Sequence, residues 1–294
     1  MRTLIEKILA GVQSSLPQHL LTAWTYRLMR VETRWFKNLQ IRVIAAMAGV
    51  DWNEAPSRKP GDYPTFNAFF TRALKAGARA FDPAPEALCC PCDGRVSESG
   101  RIDANQLLQA KGQKYALQAL LANDAACPQW ENGHFYTLYL SPRDYHRVHM
   151  PLTGVLQGMR YVPGRLFSVA PYTVRQVDGL FARNERVISI FETAVGPVAL
   201  VLVGAMLVAG METVWAGEIT PASLREVRTT DYQGQGLTLA KGAEMGRFNM
   251  GSTVILLLPP GAIDRAPPLR PGDAVRLGQR LASLNLALQD RNGD

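Results

Sequence analysis

Between Glu192 and Glu212 the chain runs nineteen residues without a charge, nearly the length that crosses a bilayer as a helix. Whether that segment spans a membrane or folds into buried strands decides the class of the whole protein. Gly196-Pro197 and Gly204 interrupt it. The two pieces left, residues 198–203 and 205–208, are rich in β-branched residues and read as two buried strands joined at glycine. Similar short apolar runs recur at residues 137–140, 155–161, 186–191, 236–239 and 253–258, separated by clusters of Pro, Gly, Asn and Asp. That spacing predicts a mainly β region with antiparallel pairing. A short helix is predicted over residues 66–74. With 47% hydrophobic and 19% charged residues among 294, the chain can bury a sizeable core, so a disordered or collagen-like protein is excluded.

The amino-terminal fifth is built differently. Residues 1–60 hold nine Lys and Arg against four acids, a net +5 out of +7 for the whole chain. Apolar residues recur there at helical spacing: Leu4, Ile5, Ile8, Leu9 and Val12; then Leu20, Leu21, Trp24, Leu28 and Val31; then Trp35, Leu39, Val43 and Met47. Trp24, Tyr26, Trp35 and Phe36 interleave with Arg27, Arg30, Arg34 and Lys37. Such helices suit a headgroup layer, with rings at the boundary and cations toward anionic lipid. They equally suit an ordinary helical cap whose apolar face packs on the rest of the protein. Pro56, Pro60 and Gly61 mark the boundary. The reading is an α+β protein with amphipathic helices over residues 1–62 and a mainly antiparallel β-rich catalytic domain over residues 63–294. Acidic Glu6 and an interrupted apolar run in residues 1–16 argue against a cleaved secretory signal.

Cys89, Cys90 and Cys92 crowd together and only Cys127 stands apart. This is not the framework of a disulfide-stapled secreted domain, so a reducing compartment and small buried thiols are expected. No metal is expected, because the one-residue gap in Cys90-Pro91-Cys92 has no second ligand pair at zinc-site distance and the turn residues around His146 and His149 disfavour a regular helix. Three islands combine reactive residues with turn punctuation: Pro91-Cys92-Asp93-Gly94, Tyr145-His146-Arg147-Val148-His149 and Met250-Gly251-Ser252-Thr253. An Asp, a His and a Ser in separate turns are the ingredients of an activated hydroxyl. Ser252 lacks the Gly-x-Ser-x-Gly elbow of common hydrolases, being followed by Thr253 and Val254. A membrane-associated serine hydrolase using Asp93, His149 and Ser252 is the alternative reading of the same residues.

Residues 140–151, which run Leu-Ser-Pro-Arg-Asp-Tyr-His-Arg-Val-His-Met-Pro, and residues 244–255 around Gly251-Ser252 resemble the two signature segments of bacterial phosphatidylserine decarboxylases. The resemblance extends to residues 66–72, 91–96, 161–169 and 181–187, in the order and at the spacing of that family. It covers about Tyr63 to Leu258 and the basic helical leader. Cys90 and Cys92 depart from the small or apolar residues expected before the aspartate turn, and Met250 stands where leucine commonly precedes the cleaved Gly-Ser.

The resemblance implies a zymogen that makes its own cofactor by autocatalytic serinolysis. Ser252, deprotonated by His149 while Asp93 holds the imidazole, attacks the carbonyl of Gly251, which has no Cβ to obstruct the approach. The ester eliminates, releasing residues 1–251 as a β chain and leaving dehydroalanine at 252, which hydrolyses to a covalent pyruvoyl group and ammonia. Residues 252–294 become the α chain. The pyruvoyl carbonyl then forms a Schiff base with the serine headgroup, accepts the electrons released with CO2, and phosphatidylethanolamine results, a step of phospholipid biosynthesis. The family assigns His146 to substrate binding and to the proton given to the carbanion, a task suited to an imidazole. The implied partners are phosphatidylserine and an anionic membrane surface, each chain of the cut pair, and further copies in a homo-oligomer. No nucleic acid is implied, and the implied location is peripheral, on the cytoplasmic face of the bacterial cell membrane.

Overall fold

The computed structural model describes residues 2–110, 112–207, 210–220, 225–249 and 253–287. Met250, Gly251, Ser252 and Val208 lie outside them, as do the side chains of Leu4, Ile5, Ile8 and Leu9. Three helices open the chain, α1 (Arg2–Ser15), α2 (Gln18–Leu28) and α3 (Arg34–Ala48), and a short α4 (Phe66–Phe70) follows. The strands that build the site are β1 (Gly94–Arg101), β2 (His134–Tyr139), β3 (Arg147–His149), β4 (Gly154–Val162), β5 (Arg186–Thr193), β6 (Gly196–Val203), β7 (Met211–Thr213), β8 (Glu244–Phe248) and β9 (Thr253–Leu258).

A nine-stranded antiparallel sheet carries the order β4-β5-β6-β9-β2-β1, with Arg228–Asp231 and Thr238–Leu239 on β4 and Ala274–Val275 on β1. Every residue of β9 is buried. Its even and odd positions feed two different apolar clusters, Val254, Leu256 and Leu258 on one face and Ile255 and Leu257 on the other. That is why β9 and the second half of β6 are continuous apolar runs rather than alternating ones: a strand covered on both faces has no solvent side to polarise. The second cluster gathers Trp130, Phe135, Phe167 and Phe181 beneath the sheet. A separate four-stranded sheet, Gly217–Glu218 with β7, β8 and β3, supplies the strand that leads into residues 250–252.

The antiparallel α+β expectation holds. The segment between Glu192 and Glu212 forms β6 and not a membrane-spanning helix, and among the described residues no helix is long and apolar enough to cross a membrane. Its expected second strand does not form over the described part, because residues 206–207 are a turn with Leu207 at φ +68°. The helix expected over 66–74 stops at Phe70. Thr65 caps its start by accepting from the Ala68 N–H at 3.0 Å, while Arg147 Nε takes the Thr71 carbonyl at 2.9 Å and turns the chain away.

The helices lie opposite to an ordinary cap. Val12, Leu20, Trp24, Leu28, Trp35, Leu39, Val43 and Met47 are exposed, Trp35 by 71% and Met47 by 80%. Among the described side chains of α1 and α2, the polar Gln13, Gln18, Thr22 and Thr25 are buried. Gln13 Oε1 accepts from Ser168 N at 3.0 Å and Gln18 Oε1 from Leu166 N at 2.9 Å, so these side chains satisfy loop backbone that has no strand partner. Ala10 of α1 joins the second apolar cluster, and α3 adds an apolar inner edge, Ile41 and Ala45, which packs with Tyr63, Phe66, Phe69 and Phe70 across the 62/63 boundary.

Candidate active site

One rung of the large sheet organises the site. Arg95 pairs with Tyr139, Tyr139 with Thr253, Thr253 with Val203 and Val203 with Arg186. Asp93 precedes this rung on β1, Leu140 and the loop to His146 leave it on β2, and position 252 precedes it on β9. β1 and β9 run parallel with β2 between them, so their starting ends lie on the same edge, two strand spacings or about 10 Å apart. Gly94 makes the crowding possible, since a Cβ there would stand 2.3 Å from the Tyr139 carbonyl oxygen. The smaller sheet closes on the same edge. Val148 pairs with Gly246 and Arg147 with Arg247, and Phe248 N donates to the His146 carbonyl at 3.0 Å. Asp93, His146 and both flanks of the 251/252 junction are thereby gathered at one end of the molecule.

His146 is fully buried. Its Nδ1 faces the Asp144 carbonyl at 2.8 Å, and a carbonyl only accepts, so Nδ1 carries the proton. Nε2 is left as a bare lone pair with no partner among the described residues. The Phe70 ring covers the imidazole at 4.0 Å between centroids. Burial first, and then the charge of Arg72, push the His146 pKa down to about 3, so the ring is neutral.

His149 points differently. Residues 147 and 149 share one face of β3 and 148 the other, and His149 sits opposite Glu244, three residues further from the junction than His146. Its Nδ1 donates to the Gly242 carbonyl at 2.7 Å, and its Nε2 accepts from the Tyr145 hydroxyl at 3.0 Å. Burial lowers its pKa, opposed chiefly by the bond to Gly242. Burial likewise pushes the Tyr145 hydroxyl up to about 12, so it remains a donor.

Asp93 does not hold the His149 imidazole directly, contrary to the expectation. Arg79 donates to it through Nε at 2.9 Å and Nη2 at 2.5 Å, and Leu277 N donates at 2.8 Å. The physical reason is competition. A bidentate guanidinium is a stronger partner for a buried carboxylate than an imidazole whose two nitrogens are already engaged. Asp93 still lies close, since His149 N donates to the Pro91 carbonyl at 2.8 Å, and its negative charge favours protonated His149. Gly251 and Ser252 themselves lie outside the described residues.

Sequence reasoning passed over several residues of this edge. Buried Asn249 receives a bond from Asn67 Nδ2 at 3.1 Å and gives a weak one to Glu218 at 3.4 Å. Glu218 is held in turn by Tyr26 at 2.9 Å and Arg30 at 2.7 Å, which ties α2 to the segment entering the junction. Arg72 and Tyr145 could have been flagged as the polar members of two resembling segments, whereas nothing local to Arg79 signals its pairing with Asp93. All four cysteines are buried and free, as small apolar fillers.

A family model described as phosphatidylserine decarboxylase matches residues 66–283, and one described as PSD matches residues 8–46. The chain belongs to the phosphatidylserine decarboxylase family. It is 48% identical to the phosphatidylserine decarboxylase proenzyme of Methylococcus capsulatus over 278 residues, 94% of this chain and 96% of that one. The proenzyme of Nitrosococcus oceani is 50% identical over 285 residues, 96% and 93% of the two chains. That of Alcanivorax borkumensis is 48% identical over 284 residues, 96% and 97%. The family match therefore spans both the helical leader and the β-rich region.

Proposed function

We propose that this chain is a proenzyme that cuts itself between Gly251 and Ser252 and then decarboxylates phosphatidylserine to phosphatidylethanolamine at an anionic membrane surface. The observation that carries the reading is the meeting of Asp93, His146 and both flanks of the junction on one edge of the sheet. For the first reaction, neutral His149 accepts the Ser252 hydroxyl proton, exchanging its bond from Tyr145, and Asp93 favours the resulting imidazolium through its field. Residues 253–258 stay paired with β2 and β6 after the cut, so the two fragments remain one folded body.

A pyruvoyl group at 252 fits its surroundings, since a buried, unpartnered imidazole nitrogen stands at the same edge. Such a group supplies a carbonyl for the substrate amine and a sink for the electrons left behind by CO2. His146 can take up at Nε2 the proton that the substrate ammonium gives up and return it where the carboxylate leaves. Its Nε2 is bare and shielded from water, and the tautomer is fixed by Asp144. The exposed apolar stripe of α2 and α3, with the basic excess of residues 1–60, supports peripheral docking on anionic lipid, on the cytoplasmic face of the cell membrane.

Intact-mass measurement under denaturing conditions tests the reading. Two fragments are expected, the second beginning at position 252 with a carbonyl and no amine, and Ser252→Ala stays whole. An uncut wild-type chain with a reactive Ser252 would instead favour a serine hydrolase.

A further inference from the structure

A polar cavity of about 260 Å3 opens beside the site, walled by Arg72, Arg79, Asp93, Asp144 and Tyr145 and reaching Gly49 at the end of α3. Its acids are already committed. Arg79 holds Glu54 and Asp93, Asp144 accepts from both the N–H and the hydroxyl of Ser141, and Asp51 accepts from Asn53 N. Arg72 is the exception among the buried cations. It is 6% exposed, forms no ion pair among the described residues, and its Nε has no partner. Among the described residues its side chain makes one hydrogen bond, a long one from Nη1 to the Phe69 carbonyl at 3.4 Å, and the guanidinium rests over the Phe69 ring at 5.0 Å. A buried guanidinium left this way is costly unless a ligand completes it.

Resting on the decarboxylase reading, we propose that Arg72 binds the phosphodiester of the phospholipid headgroup, which enters through this cavity. Three observations fix that ligand. The planar guanidinium matches two oxygens of a phosphodiester. Arg72 lines the cavity two residues beyond the Phe70 ring that covers His146, near enough for its charge to act on that imidazole. The cavity reaches Gly49 at the end of α3, two residues beyond Met47, the last of the exposed Trp35, Leu39, Val43 and Met47 that form the face assigned to the membrane. The volume suits a headgroup and leaves the acyl chains in the bilayer. The headgroup carboxylate is the poorer candidate, because a cation fixed on a group that must leave as CO2 stabilises the ground state against reaction. A phosphate on Arg72 also offsets the charge that, after burial, disfavours protonated His146.

The test uses processed enzyme carrying Arg72→Gln or Arg72→Lys, with short-chain phosphatidylserine as substrate and glycerophosphoethanolamine as inhibitor. The inhibitor keeps the phosphodiester and lacks the carboxylate. Arg72→Gln should raise the substrate KM and the inhibitor Ki together, each by about tenfold or more, with kcat changed much less. Arg72→Lys, which keeps the charge and loses the fork, should fall between. A raised KM with an unchanged Ki would move Arg72 to the carboxylate and overturn the proposal, as would an unchanged KM. If the Gln variant does not process, the Lys variant carries the test, and wild-type KM and Ki in it overturn the proposal. Wild-type enzyme that processes beside an unaffected Arg72 variant removes this inference alone. A wild-type chain that never cuts removes the proposed function as well.

Discussion

His146 concentrates the chemistry of the site into one residue. Its type and its place in Tyr145-His146-Arg147-Val148-His149 are legible in the sequence, and so is its kinship with His149. What separates the two imidazoles is not legible: one nitrogen bare, the other engaged by Tyr145, each ring fixed by a carbonyl from a different loop. Asp93 shows the same limit, because Arg79 reaches it from a segment with no local signal. The buried, neutral His146 has a stability consequence. Its folded pKa of about 3 lies below the ordinary value of 6.5. The unfolded chain therefore binds the extra proton first as pH falls, and the stability contributed above 6.5 is lost progressively toward pH 3. The slope from this group is at most about 1.4 kcal/mol per pH unit. In the uncut Ser252→Ala background, denaturant unfolding between pH 7 and pH 5 should show a shallower loss for His146→Gln than for the parent. Parallel lines for the two chains would remove the buried neutral imidazole.

Among the elements, the short strand β8 carries the most consequence per residue. It lies between β7 and β3 and delivers the chain to the junction, with Gly246 paired to both Thr213 and Val148. A Cβ on Gly246 would stand 2.3 Å from the Glu212 carbonyl oxygen, a backbone atom that cannot swing aside. Gly246→Ala should cost on the order of 1–3 kcal/mol through overpacking and should slow self-cleavage, read by melting temperature and by the fraction of uncut chain. Gly11→Ala is the control, since open space surrounds that position in α1 and alanine favours the helix. It should leave cleavage unchanged. If the two variants cleave alike, β8 does not position the junction. Elements with a continuous apolar pattern, β6 and β9, were legible because a doubly covered strand needs no partner to announce itself. The end of α4 and the turn at 206–207 were not, because Arg147 and the Thr22 hydroxyl, which accepts from the Leu207 N–H, act on them from outside the local sequence.

At the scale of the whole molecule, α2 and α3 turn their apolar stripes outward, and α1 and α2 spend polar side chains on the fold. Gln13, Gln18 and Thr22 bond to the backbone of residues 168, 166 and 207, and α2 is clamped through Tyr26 and Arg30 to Glu218. Hydrophobic periodicity alone could not choose this orientation, because it locates a stripe without saying what covers it. The arrangement separates two properties that a packed helical cap would fuse, since Trp35 and Met47 contribute little to the folded core. Trp35→Ser together with Met47→Ser should therefore leave the melting temperature and self-cleavage nearly unchanged. Sedimentation with vesicles rich in anionic phospholipid should weaken by on the order of tenfold or more, as expected for losing roughly 100 Å2 or more of apolar contact at about 25 cal/mol per Å2. Binding of the unaltered protein should also fall as salt rises, because the nine cations of residues 1–60 act through a screened field. Vesicle binding that ignores both changes would mean that the exposed stripe meets something other than a lipid surface.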